Sequence, residues 1–239
     1  CGICGHAHLI ATVKALENCY EQIHISQKAK IIRELTLNFE LIQNHFKWFY
    51  MVILPLIGQK QQVLKAVLPS QLMAKAIAVL AGQYPHTSYA IVGGIVSEIT
   101  QNDIICVQNF IYETIKFFKK NFIDVDIENF LVCENIDKVA NSKGELSSFL
   151  KTMEKSNLQR TGGSYDRFIV FGENSYFKKG KSLTTRINST LDVKFVQESE
   201  NKNSYAKNVK YRGKYYETGP LSRAMINKIP LIRESHRRY

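Results

Sequence analysis

Long apolar runs are missing from this sequence. No stretch of about 18 uninterrupted apolar residues, the minimum for a spanning helix, occurs, and no charged-then-apolar signal segment stands at its start. Nothing in it asks for a place within a membrane. Cysteine is scarce and irregularly spaced: Cys1, Cys4, Cys19, Cys106 and Cys133 are too few for a disulfide framework, and an odd count leaves one unpaired. A reducing compartment follows, so the expected location is cytoplasmic, free or peripheral at a membrane face. Repeats and low-complexity tracts are absent as well. Acidic residues are short only in the last part of the chain. Residues 1–150 hold 13 Lys+Arg and 13 Asp+Glu, whereas residues 151–239 hold 19 and 8, a net +11 that equals the charge of the whole chain. A basic C-terminal third can meet nucleic acid, an acidic membrane face or an acidic partner. The charges are scattered through apparent strands and loops, so a solvated Lys-rich face is the simpler expectation, and no nucleic-acid partner is expected.

What is present is ample for a packed core: 239 residues, 45% of them hydrophobic. Leu9, Val13, Leu16 and Tyr20 recur at helical steps, placing a helix just after the first cysteine pair. Ser26 reads as the N-cap of a longer helix whose apolar face runs Ile32, Leu35, Phe39, Ile42, Phe46, Phe49 and Ile53 until Pro55. Residues 60–82 read as helix interrupted near Pro69, followed by a loop, 84–94, that ends in paired glycines. Thr100 should cap a helix carrying Ile104, Val107, Ile111, Ile115 and Phe118. Two short helices are expected near 126–133 and 145–155, and then, past Gly162-Gly163, the period moves towards two. Strands are expected at Arg167–Phe171, Leu191–Val196, Val209–Tyr211 and Tyr215–Tyr216, the last two around Arg212-Gly213, with an exposed loop at Glu198–Lys207. The fold class is therefore mainly α with a smaller β-containing part, a helical segment over 1–123 and a mixed segment over 124–239 within one continuous domain.

The chemistry concentrates at the start. Cys1-Gly2-Ile3-Cys4-Gly5-His6-Ala7-His8 sets two thiols and an imidazole at C-x-x-C-x-x-x-H spacing, at the N-terminus of a helix, where exposed N–H groups and the helix dipole favour thiolates. A structural zinc site would need a fourth ligand, and no second C-x-x-C or paired His follows. A thioredoxin-type dithiol would need a preceding strand and a βαβ context. Two thiols among glycines suit core packing poorly. A third reading beside these is a thiolate-rich redox-metal site, since soft thiolates bind nickel and iron well and one sulfur can bridge two metals. A chain that begins on a ligand, without an initiator Met, reads as a piece of a longer protein.

Five blocks in order resemble the large subunits of nickel-iron hydrogenases: CGICGHAHLIATVKALE, IRELTLNFELIQNHFKWFY, YPHTSYAIVGGI, GGSYDRFIVFGE and YETGPLSRAM. The resemblance implies a helical-bundle fold and reversible conversion of dihydrogen into two protons and two electrons at a nickel-iron centre with carbon monoxide and cyanide on iron. It implies that Cys1 is a terminal nickel ligand, that Cys4 bridges nickel and iron, and that His8 hydrogen-bonds at the bridging sulfur. His86 would face a small subunit that carries iron-sulfur clusters, and maturation factors would be further partners. Glu217 and Arg223 match the charged positions of the family's E-x-G-P-L-x-R motif, where either a direct role or a buried ion pair between core elements suits them. The family's other two cysteines, from a D-P-C-x-x-C-x-x-H motif, would lie beyond Tyr239. The Arg and the proton-transfer Glu that precede the first motif in the family would lie before Cys1. Trp48 stands where many members carry a second His, and Leu56 where an Asp is common. The 84–94 loop and SYDRFIVFGE are closer to the cytoplasmic uptake or hydrogen-sensing branch. A metal-binding subunit of the complex I lineage is the runner-up, against which Cys1 and Cys4 count.

Overall fold

A computed structural model of the chain describes residues 3–158, 166–171, 181–184, 187–201 and 204–238. Cys1 and the Gly162-Gly163 pair lie outside the described residues. The chain divides into two compact units, Cys1–Phe122 and Ile123–Tyr239.

In the first unit, α1 (Gly5–Glu17) leads to α2 (Gln27–Trp48), which continues through a π-helical segment, Phe49–Ile53, into a short turn α3 (Leu54–Leu56). The helix α4 (Val63–Ala81), a two-stranded hairpin β1 (Ala90–Ile91) and β2 (Gly94–Ile95), and α5 (Gln101–Phe117) complete it. Both expected caps form. The Ser26 hydroxyl accepts the Ala29 N–H at 3.2 Å. Thr100 and Asp103 make a reciprocal capping box in which each side chain accepts the other's backbone N–H. The core joins Ile10 and Val13 of α1, Ile32 and Phe39 of α2, Met73, Ile77 and Leu80 of α4 and Val107 of α5. An edge-to-face aromatic cluster, Phe46, Phe49, Tyr50, Phe117 and Phe122, extends it.

Several expectations change. The buried stripe of α1 is His6, Ile10, Val13 and Glu17, while Leu16 and Tyr20 are exposed. The helix begins at Gly5, directly after Cys4 as expected, and its first turn is stabilised from outside by α2. Pro69 does not interrupt α4. It is buried within a helix whose flanking turns are packed against α2 and α5, and that packing outweighs one missing N–H bond. By length and composition α4 is long and apolar enough to cross a membrane. In this structure its apolar face is the centre of the core.

The second unit carries three short helices, α6 (Ile127–Leu131), α7 (Ile136–Ala140) and α8 (Glu145–Lys155), two three-stranded antiparallel sheets, and a helical end, α9 (Pro220–Ile226) and α10 (Pro230–Arg238). One sheet has the order β3-β4-β5 (Arg167–Val170, Lys181–Thr184, Ile187–Thr190) and the other β6-β7-β8 (Val196–Asn201, Ser204–Tyr211, Lys214–Tyr216). Strand alternation lets β3 bury both faces: Phe168 and Val170 pack on Met225 and Ile226, and Ile169 packs with Leu191 and Tyr211. The β7–β8 hairpin turns at Arg212-Gly213, both with positive φ of 49° and 76°, as a tight primed turn requires. The expected strand at Leu191–Val196 is a 3-10 turn, Val193–Phe195, that only then enters β6. The expected loop Glu198–Lys207 is mostly strand, since β6 pairs with β7 from Val196↔Tyr211 to Asn201↔Ser204. Cross-strand pairing does not need apolar side chains at an exposed position.

Candidate metal centre

Cys4 occupies the N-cap of α1, half-buried with a free thiol. A cysteine cannot supply the usual capping oxygen, and no side-chain cap comes from it. The cap comes from α2 instead. Glu40, 2% exposed, accepts the His6 N–H at 3.0 Å and the Ala7 N–H at 2.7 Å, so that its carboxylate sits on the first turn where the helix dipole favours it. The Tyr84 hydroxyl donates to the same carboxylate at 3.3 Å. On the other side of Cys4, Asn44 Nδ2 donates to the Ile3 carbonyl at 3.0 Å.

Beneath this turn lies a closed polar network. His6, 2% exposed, is stacked on Tyr89 with ring centroids 5.6 Å apart. Its Nε2 is 2.9 Å from Thr36 Oγ1 and its Nδ1 3.2 Å from Thr87 Oγ1. The Thr36 hydroxyl donates to the Ile32 carbonyl at 2.9 Å and lies 2.6 Å from the Tyr89 hydroxyl. One assignment satisfies every group: Nε2–H and Tyr89 O–H donate to Thr36, and Thr87 O–H donates to Nδ1 of a neutral imidazole. Burial holds the His6 pKa below its ordinary value, against the opposing pull of the Glu40 charge. Burial likewise pushes the phenols of Tyr84 and Tyr89 up to about 12, with the Glu40 charge adding to the effect at Tyr84.

A second buried constellation braces the other end of α1. Arg33 donates to Glu17 through both terminal nitrogens, at 3.1 and 2.8 Å, and to the Gly94 carbonyl at 2.7 Å, while Glu17 accepts the Gly93 N–H at 2.9 Å. Gly93 is explained by its backbone: with φ 90° it adopts a conformation that side chains rarely allow and presents its N–H to a buried carboxylate.

Of the residues singled out from the sequence, Cys1 lies outside the described residues and Cys4 stands as above. His8 is exposed, on the opposite side of the first turn from His6, and its N–H donates to the Cys4 carbonyl at 3.2 Å. His86 is exposed in the loop that brings Tyr84, Thr87 and Tyr89 onto α1 and α2, and its carbonyl accepts from Gln83 Nε2. Glu217 and Arg223 belong to the second unit. The backbone of Glu217 forms a parallel bridge with β3, its N–H donating to the Arg167 carbonyl and its carbonyl accepting from Ile169, both at 2.9 Å. Burial pushes its carboxyl up, against the charge of His236. Arg223 is half-buried on α9, and among the described residues no ion pair joins it to Glu217. His6, Thr36, Glu40, Asn44 and Tyr89 were not singled out from the sequence. The signal available was the spacing of His6, Ile10, Val13 and Glu17, which is one helical face with polar ends.

The family described as nickel-dependent hydrogenase matches residues 1–54, the span from the cysteine motif to the first residue of α3. Solved hydrogenases match nearly the whole chain. The fold is that of a nickel-dependent hydrogenase. The reduced nickel-iron-selenium hydrogenase of Desulfovibrio vulgaris Hildenborough superimposes with a TM-score of 0.66 at 16% identity, covering 95% of this chain and 55% of that one. The reduced, active nickel-iron-selenium hydrogenase of Desulfomicrobium baculatum gives 0.69 at 19%, covering 95% and 56%. A second structure from Desulfomicrobium baculatum, activated with dihydrogen, gives 0.69 at 20% with the same coverage. The chain therefore spans about half the length of the hydrogenases it matches. No curated protein matches it.

The donor chemistry at Cys4 fits a nickel-iron group. It is a soft, half-buried free thiol at the start of α1, the donor type that nickel and iron take. Among the described residues no set of three or more His, Cys, Asp or Glu closes a metal site.

Proposed function

We propose that this chain is part of the large subunit of a nickel-iron hydrogenase and catalyses the reversible conversion of dihydrogen into two protons and two electrons. The observation that carries the reading is Cys4, a free thiol at the start of α1 held on both sides by α2, within a first turn that matches the nickel-dependent hydrogenase family. Cys1 and Cys4 would supply two thiolates, Cys4 as the bridging one, and the remaining two would come from the part of the hydrogenase length that this chain does not span. A centre so bound, with carbon monoxide and cyanide on its iron, supplies the polarisation and redox capacity for splitting dihydrogen.

The residues of this chain bind and orient. Glu40 and Asn44 fix the turn that carries the thiol. The neutral His6 network gives the buried polar groups beneath the turn hydrogen-bond partners and so supports it from below. His8, exposed one turn along from Cys4, would donate a hydrogen bond at the sulfur and lower its basicity, as outer donors tune metal ligands. Electrons would leave through the iron-sulfur clusters of a small subunit docked on the side of His86. Maturation factors and a cytoplasmic location belong to the same proposal.

The test is Cys4→Ser in the full-length protein, produced with its partner subunit and maturation machinery. The variant is expected to contain no nickel and to show no hydrogen uptake. Retention of both would rule out the bridging role.

A further inference from the structure

Glu40 and Asn44 stand four residues apart on α2 and so share one face of the helix. Between them they hold the backbone on both sides of Cys4, Asn44 at the Ile3 carbonyl and Glu40 at the N–H groups of His6 and Ala7. This is an unusual way to start a helix. The same chain caps α2 and α5 locally, with Ser26 and Thr100. A local cap of that kind at the start of α1 would have required Ser, Thr, Asp or Asn at position 4. Moving the cap to a neighbouring helix leaves the N-cap position free to be a cysteine.

We infer that Glu40 and Asn44 are positioning residues for the Cys4 thiol. The pair forms a clamp through which α2 fixes the backbone on both sides of the residue that carries the sulfur. The inference rests on the reading of Cys4 as a nickel-iron ligand. No residue of the clamp touches the reacting atoms.

The experiment compares Glu40→Gln, Glu40→Asp and Asn44→Ala in the full-length protein. In the metal-free form, the rate of Cys4 alkylation by iodoacetamide at fixed pH is followed by peptide mass spectrometry, with the half-buried Cys106 of α5 as internal reference. Loss of either arm of the clamp should raise the Cys4 rate by about tenfold, the effect of one hydrogen bond, while Cys106 keeps its rate. Glu40→Asp, which retains the carboxylate, should lie between wild type and Glu40→Gln. Cys4 rates within about twofold of wild type in both Glu40→Gln and Asn44→Ala, or rates that rise in step with Cys106, would overturn the clamp. A wild-type protein that takes up no nickel would defeat the metal reading, and the alkylation comparison would still decide the clamp.

Discussion

Replacing Glu17 by Ala removes the carboxylate on which the end of α1, the middle of α2 and the β1–β2 hairpin converge. The pair it forms with Arg33 is buried, the side chains being 7% and 5% exposed. The substitution deletes two charge-assisted bonds to the guanidinium and the acceptor of the Gly93 N–H. Breaking a buried pair from one side costs about 3–5 kcal/mol, chiefly because the remaining charge stays buried. Arg33 keeps the carbonyls of Ile91 and Gly94 as partners, which argues for the lower end, about 3 kcal/mol. Native-state hydrogen exchange on the peptide covering residues 89–96 should then accelerate on the order of 100-fold, since about 1.4 kcal/mol is a factor of ten. The double variant Glu17→Leu/Arg33→Met should accelerate less than Glu17→Ala alone, because it leaves no buried charge and the hairpin groups can turn to water. The pair also sets an acid limit. Burial pushes the Glu17 carboxyl up, but the Arg33 and Gly93 hydrogen bonds and the Arg33 charge outweigh it and hold the carboxyl below its ordinary value. A folded pKa below the unfolded one gives stability that is full above about pH 4.3 and is lost as the pH falls through the folded value. Wild-type hairpin protection should therefore decline below about pH 4, and the Glu17→Ala variant should lack that contribution to the decline. Exchange less than about tenfold faster in Glu17→Ala, or a double variant more labile than the single one, would refute the account.

Other outcomes follow from the same structure. Thr100→Ala should destabilise α5 by about 1 kcal/mol, read by urea unfolding of the full-length protein, and should return the Asp103 carboxyl towards its ordinary value in an NMR titration, because the Thr100 hydroxyl and N–H now hold it low. Ile77→Ala, at a position with no exposure in the centre of the core, should cost about 2–5 kcal/mol against about 0.5–1.5 for Ile77→Val, measured as the shift in unfolding midpoint. Tyr89→Phe removes the donor to Thr36 and should cost about 1–3 kcal/mol. With its phenol pushed up to about 12, wild-type Tyr89 contributes stability that is intact below the ordinary value of about 10 and is lost as the pH rises towards 12; ultraviolet titration of tyrosinate should show one late phenol fewer in the variant.

Local chemistry explains which parts of this fold were legible in the sequence. Ser26 and Thr100 were readable as caps because a cap needs one hydroxyl and a following turn, and Arg212-Gly213 as a hairpin because the turn needs positive φ. The mainly α architecture followed from sustained periodicity over α2 and α5. Periodicity failed where polar residues face inward. On α2 it found Ile32, Phe39 and Phe46 but passed over Arg33, Thr36 and Glu40, which are as deeply buried. Their partners lie on α1 and on residues 84–94, so no window on α2 alone could reveal them. The same limit applies to His6. From sequence, the histidine four residues after Cys4 attracted attention because of its spacing. The structure buries the one two residues after it and leaves the other exposed. The Pro69 expectation failed for the converse reason: a local rule was overridden by packing on both sides of the helix.

The bonds that define the Cys4 turn span large sequence separations. His6 reaches Thr36 across 30 residues, Glu40 across 34 and Thr87 across 81. A C-x-x-C-x-x-x-H string in isolation has none of these partners, and helix nucleation on a first turn without a cap is unfavourable. The Cys4 turn is therefore a product of the folded first unit, made only when α2 and the 84–89 loop are in place. Each buried polar group in the network has a partner on a different element, so loosening one loosens the others, as coupled hydrogen-bond networks do. Tyr89 never approaches the motif in sequence, yet through Thr36 and His6 it supports the turn on which Cys4 is carried. Tyr89→Phe should accordingly raise the alkylation rate of Cys4 as well as lowering stability, and a rate unchanged from wild type at matched stability would separate the His6 network from the thiol it lies beneath.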